Sequence, residues 1–294
     1  MKNRFILGIC LAIVLALAAC APQATPSPTA TAAPATAAPT AVPTVVPTDT
    51  ATVPPPVTLN VFAASSLTAS FGDIGKAFEA AHPGVTVTFN FAGSQALATQ
   101  INSGAPCDVF ASANNSQMSV VTKAGRIDTN APKTFVKNRL VVIFPKANPA
   151  NIQTLQDLAK PGVKLVLADK TVPVGQYAQS FLDNAVKDSS FGANYKTDVL
   201  ENVVSFELDV KTVLSKVELG EADAGIVYTT DAATDTTGQT GQLAIPDNLN
   251  VIAVYPIAIV KDSPNLAVAQ AFVDYVLSAD GQATLTKYGF IAIQ

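Results

Sequence analysis

Residues 59–67 read LNVFAASSL, and this stretch sets a pattern that the rest of the chain repeats. An apolar strand over residues 59–64 is followed by two serines and then by a helix. Leu67, Phe71 and Ile74 mark the helix, because they recur at spacings of four and three residues and form one apolar face. Strands that alternate with helices in this way predict an α/β fold with parallel sheets covered on both faces.

A second junction of the same kind follows the next predicted strand, Val85–Phe91. Ser94 stands there where Ser66 stands in the first junction, at the position of a helix N-cap. One interpretation is that both serines only cap their helices. The other is anion binding, because a helix N-terminus exposes unpaired N–H groups and the positive end of the helix dipole.

Composition and charge restrict the class of protein. Hydrophobic residues make up 49% of the chain and charged residues only 14%, which is enough apolar material for a packed core. The formal net charge is −4, so the basic surface typical of nucleic-acid binding is not expected. A negative protein does not attract anions through its overall field, so any anion site must be built locally.

The sequence offers little for catalysis or metal binding. His82 is the one histidine and stands at a predicted helix end, which leaves no Ser-His or Cys-His pair. Cys107 lies in an apolar strand next to Asp108, where a buried, unreactive thiol is expected. No cluster with zinc-ligand spacing and no phosphate-binding glycine loop occurs. An exported enzyme that uses Cys107 stays an alternative.

The first 57 residues are predicted to lie outside the folded domain. Residues 1–20 have a basic start and an apolar core, which is typical of a secretory signal. The signal ends in LAAC at residues 17–20, which resembles the lipobox of bacterial lipoproteins and implies a lipid on Cys20. Residues 21–57 are rich in Ala, Pro and Thr and are predicted to form a disordered linker.

Seven segments of the remaining chain form an ordered set. They are VFAASSLT (61–68), FAGS (91–94), GAPCDVF (104–110), LVV (140–142), VPVGQYA (172–178), GIVY (225–228) and YGF (288–290). In this order and spacing, the chain resembles the periplasmic molybdate-binding proteins of ABC importers over nearly all of residues 58–294.

The resemblance implies the two-lobed periplasmic binding protein fold. Two crossover strands join the lobes, and the ligand cleft lies between them. Lobe 1 is expected to comprise residues 58–138 plus 256–294, and lobe 2 residues 139–255. Opening and closing about the crossovers is the expected motion.

The resemblance also implies the ligand and its contacts. Ser66 and Ser94 match serines that each offer a hydroxyl and a backbone N–H, while Val174 and Val210 match residues that offer an N–H alone. Tyr228 matches a tyrosine whose hydroxyl donates, although a core tyrosine is the alternative for this residue by itself. Molybdenum is expected to be bound as its oxyanion through these residues, with no direct metal ligand and no cofactor.

The function implied is capture of molybdate or tungstate by a monomer that is held on the outer face of the cell membrane through Cys20. The partner implied is the permease of an ABC transporter. Alternatives are a binding protein for sulfate or another oxyanion on the same fold, a ferric-iron binding protein, and a sensory or adhesive lipoprotein. Nucleic-acid binding and enzymatic activity are not expected.

Overall fold

The stretch LNVFAASSL folds into a strand that leads into a helix. In the computed structural model, which describes residues 56–235 and 237–293, β1 (Val57–Ala64) passes through a 3-10 turn into α1 (Thr68–Ala81). The turn leaves both serines of the stretch buried at the carboxyl end of the strand.

The structure describes only the end of the N-terminal region that is predicted to lie outside the domain. The predicted signal sequence, Cys20 and nearly all of the linker lie outside the described residues. Val57, predicted as the last linker residue, instead pairs with Val85 in the first sheet. None of the helices in the described part of the chain has the length and apolar character of a membrane-spanning segment.

The described residues contain eleven strands and nine α-helices. The strands are β1, β2 (Val85–Ala92), β3 (Val109–Ala111), β4 (Lys133–Asn138), β5 (Leu140–Pro145), β6 (Leu165–Ala168), β7 (Val203–Glu207), β8 (Ala224–Tyr228), β9 (Thr240–Ala244), β10 (Ala253–Ile259) and β11 (Ile291–Ala292). The helices are α1, α2 (Ser94–Asn102), α3 (Asn115–Lys123), α4 (Pro173–Lys187), α5 (Tyr195–Glu201), α6 (Val210–Glu218), α7 (Thr229–Ala233), α8 (Leu266–Leu277) and α9 (Ala279–Lys287). The 3-10 turn between β1 and α1 spans Ser65–Leu67, and another lies at Leu155–Ala159.

The strands form two sheets, one in each lobe. The first has the order β11-β4-β10-β3-β1-β2 and the second β7-β6-β8-β5-β9. The chain enters the second sheet between β4 and β5, where Arg139 alone separates the strands, and returns between β9 and β10. Because β10 begins at Ala253 and pairs with β4, residues 253–255 belong to the first sheet and not to the insert that ends at 255.

The prediction of parallel sheets is wrong at the crossovers. The β1–β2, β1–β3, β6–β7 and β6–β8 pairs are parallel. However, β10 runs antiparallel to β3 and β4, and β5 runs antiparallel to β8 and β9. β4 carries the chain out of the first sheet and β10 brings it back, so these neighbours run in opposite directions.

Side-chain hydrogen bonds join the two crossovers to each other. Asn250, between β9 and β10, donates from Nδ2 to the carbonyl of Leu140 at 2.9 Å and accepts its N–H at 3.1 Å. Arg139 forms an ion pair with Asp247 beside this contact. The hinge is therefore a paired structure and not two independent linkers.

The core of the first lobe is built on Phe71 of α1. Its ring centroid lies 6.1 Å from that of Phe89 on β2, 5.7 Å from Phe135 on β4 and 6.1 Å from Phe272 on α8. Aromatic pairs at such distances are stabilised beyond the burial of their apolar area. The helix that follows the serine turn is thus fixed against three elements at once.

Replacing Phe71 by alanine is expected to lower the free energy of unfolding by about 3–5 kcal/mol, because it leaves a cavity among these rings. Phe206→Ala serves as the matched control, since that ring is 49% exposed on the edge strand β7 and a surface change shifts stability by about 0.5 kcal/mol. Urea unfolding followed by circular dichroism measures both. Equal losses in the two variants would contradict this account of the core.

Candidate anion-binding site

Four helices point their N-termini at one small cavity between the lobes. α1 (through the 3-10 turn) and α2 come from the first lobe, and α4 and α6 from the second. The lining residues are Ala64, Ser65, Ser66, Ala92, Gly93, Ser94, Ala113, Val172, Pro173, Val174, Val210 and Tyr228. All five residues predicted to bind the ligand line this cavity; that they contact a ligand stays a prediction.

The cavity is small and carries no charge of its own. The centre of a water-sized sphere can occupy about 10 Å³ of it, close to the room that one ordered water needs. None of the lining residues has an ionisable acid or a cationic side chain. The space is too small for an organic metabolite.

Ser94 is held so that its hydroxyl hydrogen is free for a ligand. It is the first residue of α2, after Gly93 at the N-cap, and the N–H of Ala113 donates to its Oγ at 3.0 Å. A backbone N–H can only donate, so the hydroxyl accepts on that side and keeps its own hydrogen for another acceptor. The expectation of a capping serine is not met, since α2 has no side-chain cap at its N-cap position.

Ser66 occupies the matching position at the start of the 3-10 turn and α1. It is 6% exposed, and its Oγ lies 2.9 Å from the hydroxyl of Tyr255. Tyr255 does not line the cavity and was not predicted as a site residue. Its position in the crossover strand β10 places it directly behind Ser66.

The second lobe contributes backbone donors. Val174 is the second residue of α4, after Pro173 at the start of the helix, and Val210 is the first residue of α6. The first N–H groups of a helix have no intrahelical acceptor. In α6, the N–H of Thr212 donates to Asp209 at 3.0 Å, while Val210, the first residue of the helix, lines the cavity.

Tyr228 closes the cavity from the carboxyl end of β8. It is 1% exposed, and among the described residues its hydroxyl has no hydrogen-bond partner. Burial raises the pKa of this hydroxyl well above its usual value, so it stays protonated. Donating or accepting a hydrogen bond would stabilise it. A buried polar group without a partner is costly, and a ligand in the cavity would supply one.

An ion pair lies close in sequence to two of the lining residues. Lys211 follows Val210 on α6, and its Nζ lies 2.9 Å from an oxygen of Asp231, which is fully buried just after Tyr228. Burial raises the pKa of Asp231, and Lys211 opposes that shift. Among the described residues, no group of three or more His, Cys, Asp or Glu side chains could hold a metal ion.

Polar side chains hold the lobes together across the mouth of the cleft. Gln95 donates to the carbonyl of Leu208 at 2.7 Å, Asn114 to Gln176 at 2.9 Å, and Gln117 to the carbonyl of Thr171 at 3.0 Å. These contacts cannot be predicted from local sequence patterns, because each joins residues that are more than fifty positions apart.

Cys107 lies away from the cavity, in a separate apolar cluster of the first lobe. Burial raises the pKa of its thiol to about 12. A protonated, buried thiol is a poor nucleophile. The alternative of an enzyme built on Cys107 therefore has no support in this structure.

Comparisons with known proteins agree with this architecture. A family model for bacterial extracellular solute-binding proteins matches residues 59–291. The molybdate-binding protein ModA of Mycobacterium tuberculosis (strain H37Rv) is 40% identical over 230 residues, which are 78% of this chain and 83% of that protein. The ModA protein of Escherichia coli (strain K12) is 34% identical over 238 residues, 79% and 88% of the two chains. The solved sulfate-binding protein SubI of M. tuberculosis shares the fold, with a TM-score of 0.73 at 18% identity over 81% of this chain and 88% of that one.

Gly93→Ala is expected to hinder closure of the lobes. A methyl group there would come within 2.3 Å of the carbonyl oxygen of Leu208 across the cleft, and losing the Gln95 contact removes about 0.5–1.5 kcal/mol. Small-angle X-ray scattering should show a larger radius of gyration for this variant. Gly72→Ala is the control, because nothing lies within 4 Å of the added methyl; a radius that Gly93→Ala left unchanged would contradict the closed geometry.

Proposed function

Because the chain belongs to the bacterial extracellular solute-binding proteins, we propose that it captures molybdate or tungstate outside the cytoplasm and delivers it to an ABC importer. Membership in this family confirms the predicted resemblance, the two-lobed α/β fold and the non-enzymatic class. A solute and not a cofactor is what such a protein carries.

The observation that carries the proposal is the set of neutral donors around the cavity. Ser66, Ser94 and Tyr228, together with the first residues of α4 and α6, line one small space, so their hydroxyls and helix-terminal N–H groups are the donors available to a ligand. Hydrogen bonds to a charged acceptor contribute about 1.5–3 kcal/mol each, and helix dipoles add favourable potential at the same point. A tetrahedral dianion supplies enough acceptors to satisfy all of these donors.

The same donors select against protonated anions. A hydroxyl on the anion would face an N–H of Val174 or Val210, neither of which can accept its hydrogen. Phosphate carries a proton near neutral pH, whereas molybdate, tungstate and sulfate do not. Protonation state thus disfavours phosphate, and the site needs a second property to reject sulfate.

Size is that second property. Sulfate is the smaller anion and would not reach donors on both lobes at once, so some would stay without an acceptor at a cost in free energy. The two curated relatives at 40% and 34% identity are named for molybdate. At 18% identity, the sulfate-binding neighbour supports the fold alone. Sulfate is the second candidate because, like molybdate, it is an unprotonated tetrahedral dianion.

Lipidation of Cys20 and the Pro-rich linker complete the proposal. Several acyl chains bind a membrane far more firmly than one, because each buried methylene adds stabilisation. A Pro-rich linker of residues 21–56 would let the monomer reach the permease while it stays on the outer face of the membrane, since such segments extend by about 3.1 Å per residue.

Calorimetric titration of the purified chain with molybdate, tungstate, sulfate and phosphate tests the ligand. We expect heat from the first two anions alone. Ser94→Ala and Tyr228→Phe should each weaken binding about 10- to 100-fold, because each removes one bond to a charged group worth about 1.5–3 kcal/mol.

Tyr195→Phe is the matched control for that titration, since Tyr195 is a buried tyrosine whose hydroxyl donates to the carbonyl of Leu155 at 2.6 Å, outside the cavity lining. It should bind molybdate as the unsubstituted chain does. Heat from sulfate and none from molybdate would leave the fold assignment intact and overturn the ligand.

Cys20→Ala tests the anchor. The unsubstituted chain, expressed in a bacterial host, should sediment with membranes and incorporate labelled fatty acid, and the variant should lose the label because the cysteine that carries the lipid is gone. A variant that stayed labelled would contradict lipidation at this residue.

A further inference from the structure

A chain of buried polar groups runs from the hinge to the cavity. Asn138 is the last residue of β4 and is fully buried, immediately before the first crossover. Tyr255 on β10 lies next to it, and its hydroxyl is within reach of both Asn138 Nδ2, at 3.4 Å, and Ser66 Oγ, at 2.9 Å. The chain of groups thus links residues of three separate segments of the sequence.

The Asn138 amide has a defined orientation. Its Oδ1 accepts the backbone N–H of Arg139 at 2.9 Å, and a backbone N–H cannot accept. Thr229 also donates to Oδ1, at 3.0 Å. The other end of the amide is therefore the NH₂ group, which donates to Thr230 at 2.8 Å and to Tyr255.

This orientation decides the direction of the next bond. The Tyr255 hydroxyl accepts from Asn138 and has a single hydrogen to give. Among the described residues, Ser66 is the one further group within hydrogen-bond geometry of that hydroxyl; the Tyr228 hydroxyl also lies nearby but has no bond of that geometry. If Tyr255 accepted from Ser66 as well, its own hydrogen would have no well-oriented acceptor in a fully buried place, which is unfavourable. Tyr255 therefore donates to Ser66 Oγ.

Ser66 is then held as a donor toward the cavity. Its oxygen accepts from Tyr255, so its own hydrogen turns to the remaining open side, which is the cavity. Ser94 is held in the same way by a different group, the N–H of Ala113. Both serines accept from a donor behind them and present a hydrogen in front.

We propose that Tyr255 and Asn138 are positioning residues that fix the Ser66 hydroxyl as a donor to the bound oxyanion, an inference that rests on the proposed function. Without Tyr255, the Ser66 hydroxyl is free to rotate and to accept. The site then loses a preorganised donor for molybdate and gains an acceptor for the hydrogen of a protonated anion.

A double-mutant cycle for molybdate binding tests the proposal. The variants are Ser66→Ala, Tyr255→Phe and both together, measured by calorimetry, with Tyr195→Phe as the control for loss of a buried tyrosine hydroxyl. Each single change at Ser66 or Tyr255 is expected to weaken binding about tenfold or more. The double variant should match Ser66→Ala within about twofold, because Tyr255 acts through Ser66.

The selectivity of anion binding is a second measurement. A purely structural role of Tyr255 would not change it. Tyr255→Phe should narrow the ratio of molybdate to phosphate affinity, while Tyr195→Phe leaves it unchanged. Losses that multiply in the double variant, or a Tyr255→Phe protein that binds both anions as the unsubstituted chain does, would overturn the proposal.

A neutron structure of the unsubstituted protein with molybdate keeps the proposal testable if Tyr255→Phe does not fold. The Tyr255 deuterium should lie toward Ser66 Oγ and the Ser66 deuterium toward the anion; the reverse arrangement would overturn the inference. If the unsubstituted chain bound sulfate in place of molybdate, the proposed ligand would be wrong. The same double-mutant cycle, measured with sulfate, would still test the positioning role of Tyr255. If it bound no oxyanion, both would fail.

Discussion

The requirement that unpaired helix N–H groups find an acceptor governs this molecule. α1, α2, α4 and α6 all begin at the same cavity, and their first N–H groups have no partner within their helices. The lining has no cation that would hold an anion by charge alone. In the proposed function, binding is therefore shared among neutral donors from both lobes.

The rest of the fold positions these four helices around the cavity. Short turns at the carboxyl ends of β1 and β2 aim α1 and α2, while the crossovers hold the second lobe opposite them. The crossovers are tied by Asn250, and the mouth of the cleft is closed by amide side chains such as Gln95 and Asn114. Such neutral, solvent-reachable bonds contribute modestly, which suits a cleft that must reopen to release its solute.

The sequence predicts the parts of this structure that depend on local pattern. The strand predicted over 85–91 is found as β2, and the apolar face of Leu67, Phe71 and Ile74 packs in the turn and helix that follow β1, because an apolar run and a helical apolar face are local signals. β4 and β9 are not predicted, since they carry few apolar residues and owe their conformation to the strands beside them. The five site residues came from family resemblance, whereas Tyr255 and the cross-cleft amides required the three-dimensional pairing.

Anomalous diffraction at the molybdenum edge, from crystals grown with molybdate, tests the central claim most directly. The account predicts one strong peak in the cavity, with oxygens of the anion within hydrogen-bond distance of the Ser66, Ser94 and Tyr228 hydroxyls and of the Val174 and Val210 N–H groups. A peak elsewhere, or an empty cavity in protein saturated with molybdate, would contradict it.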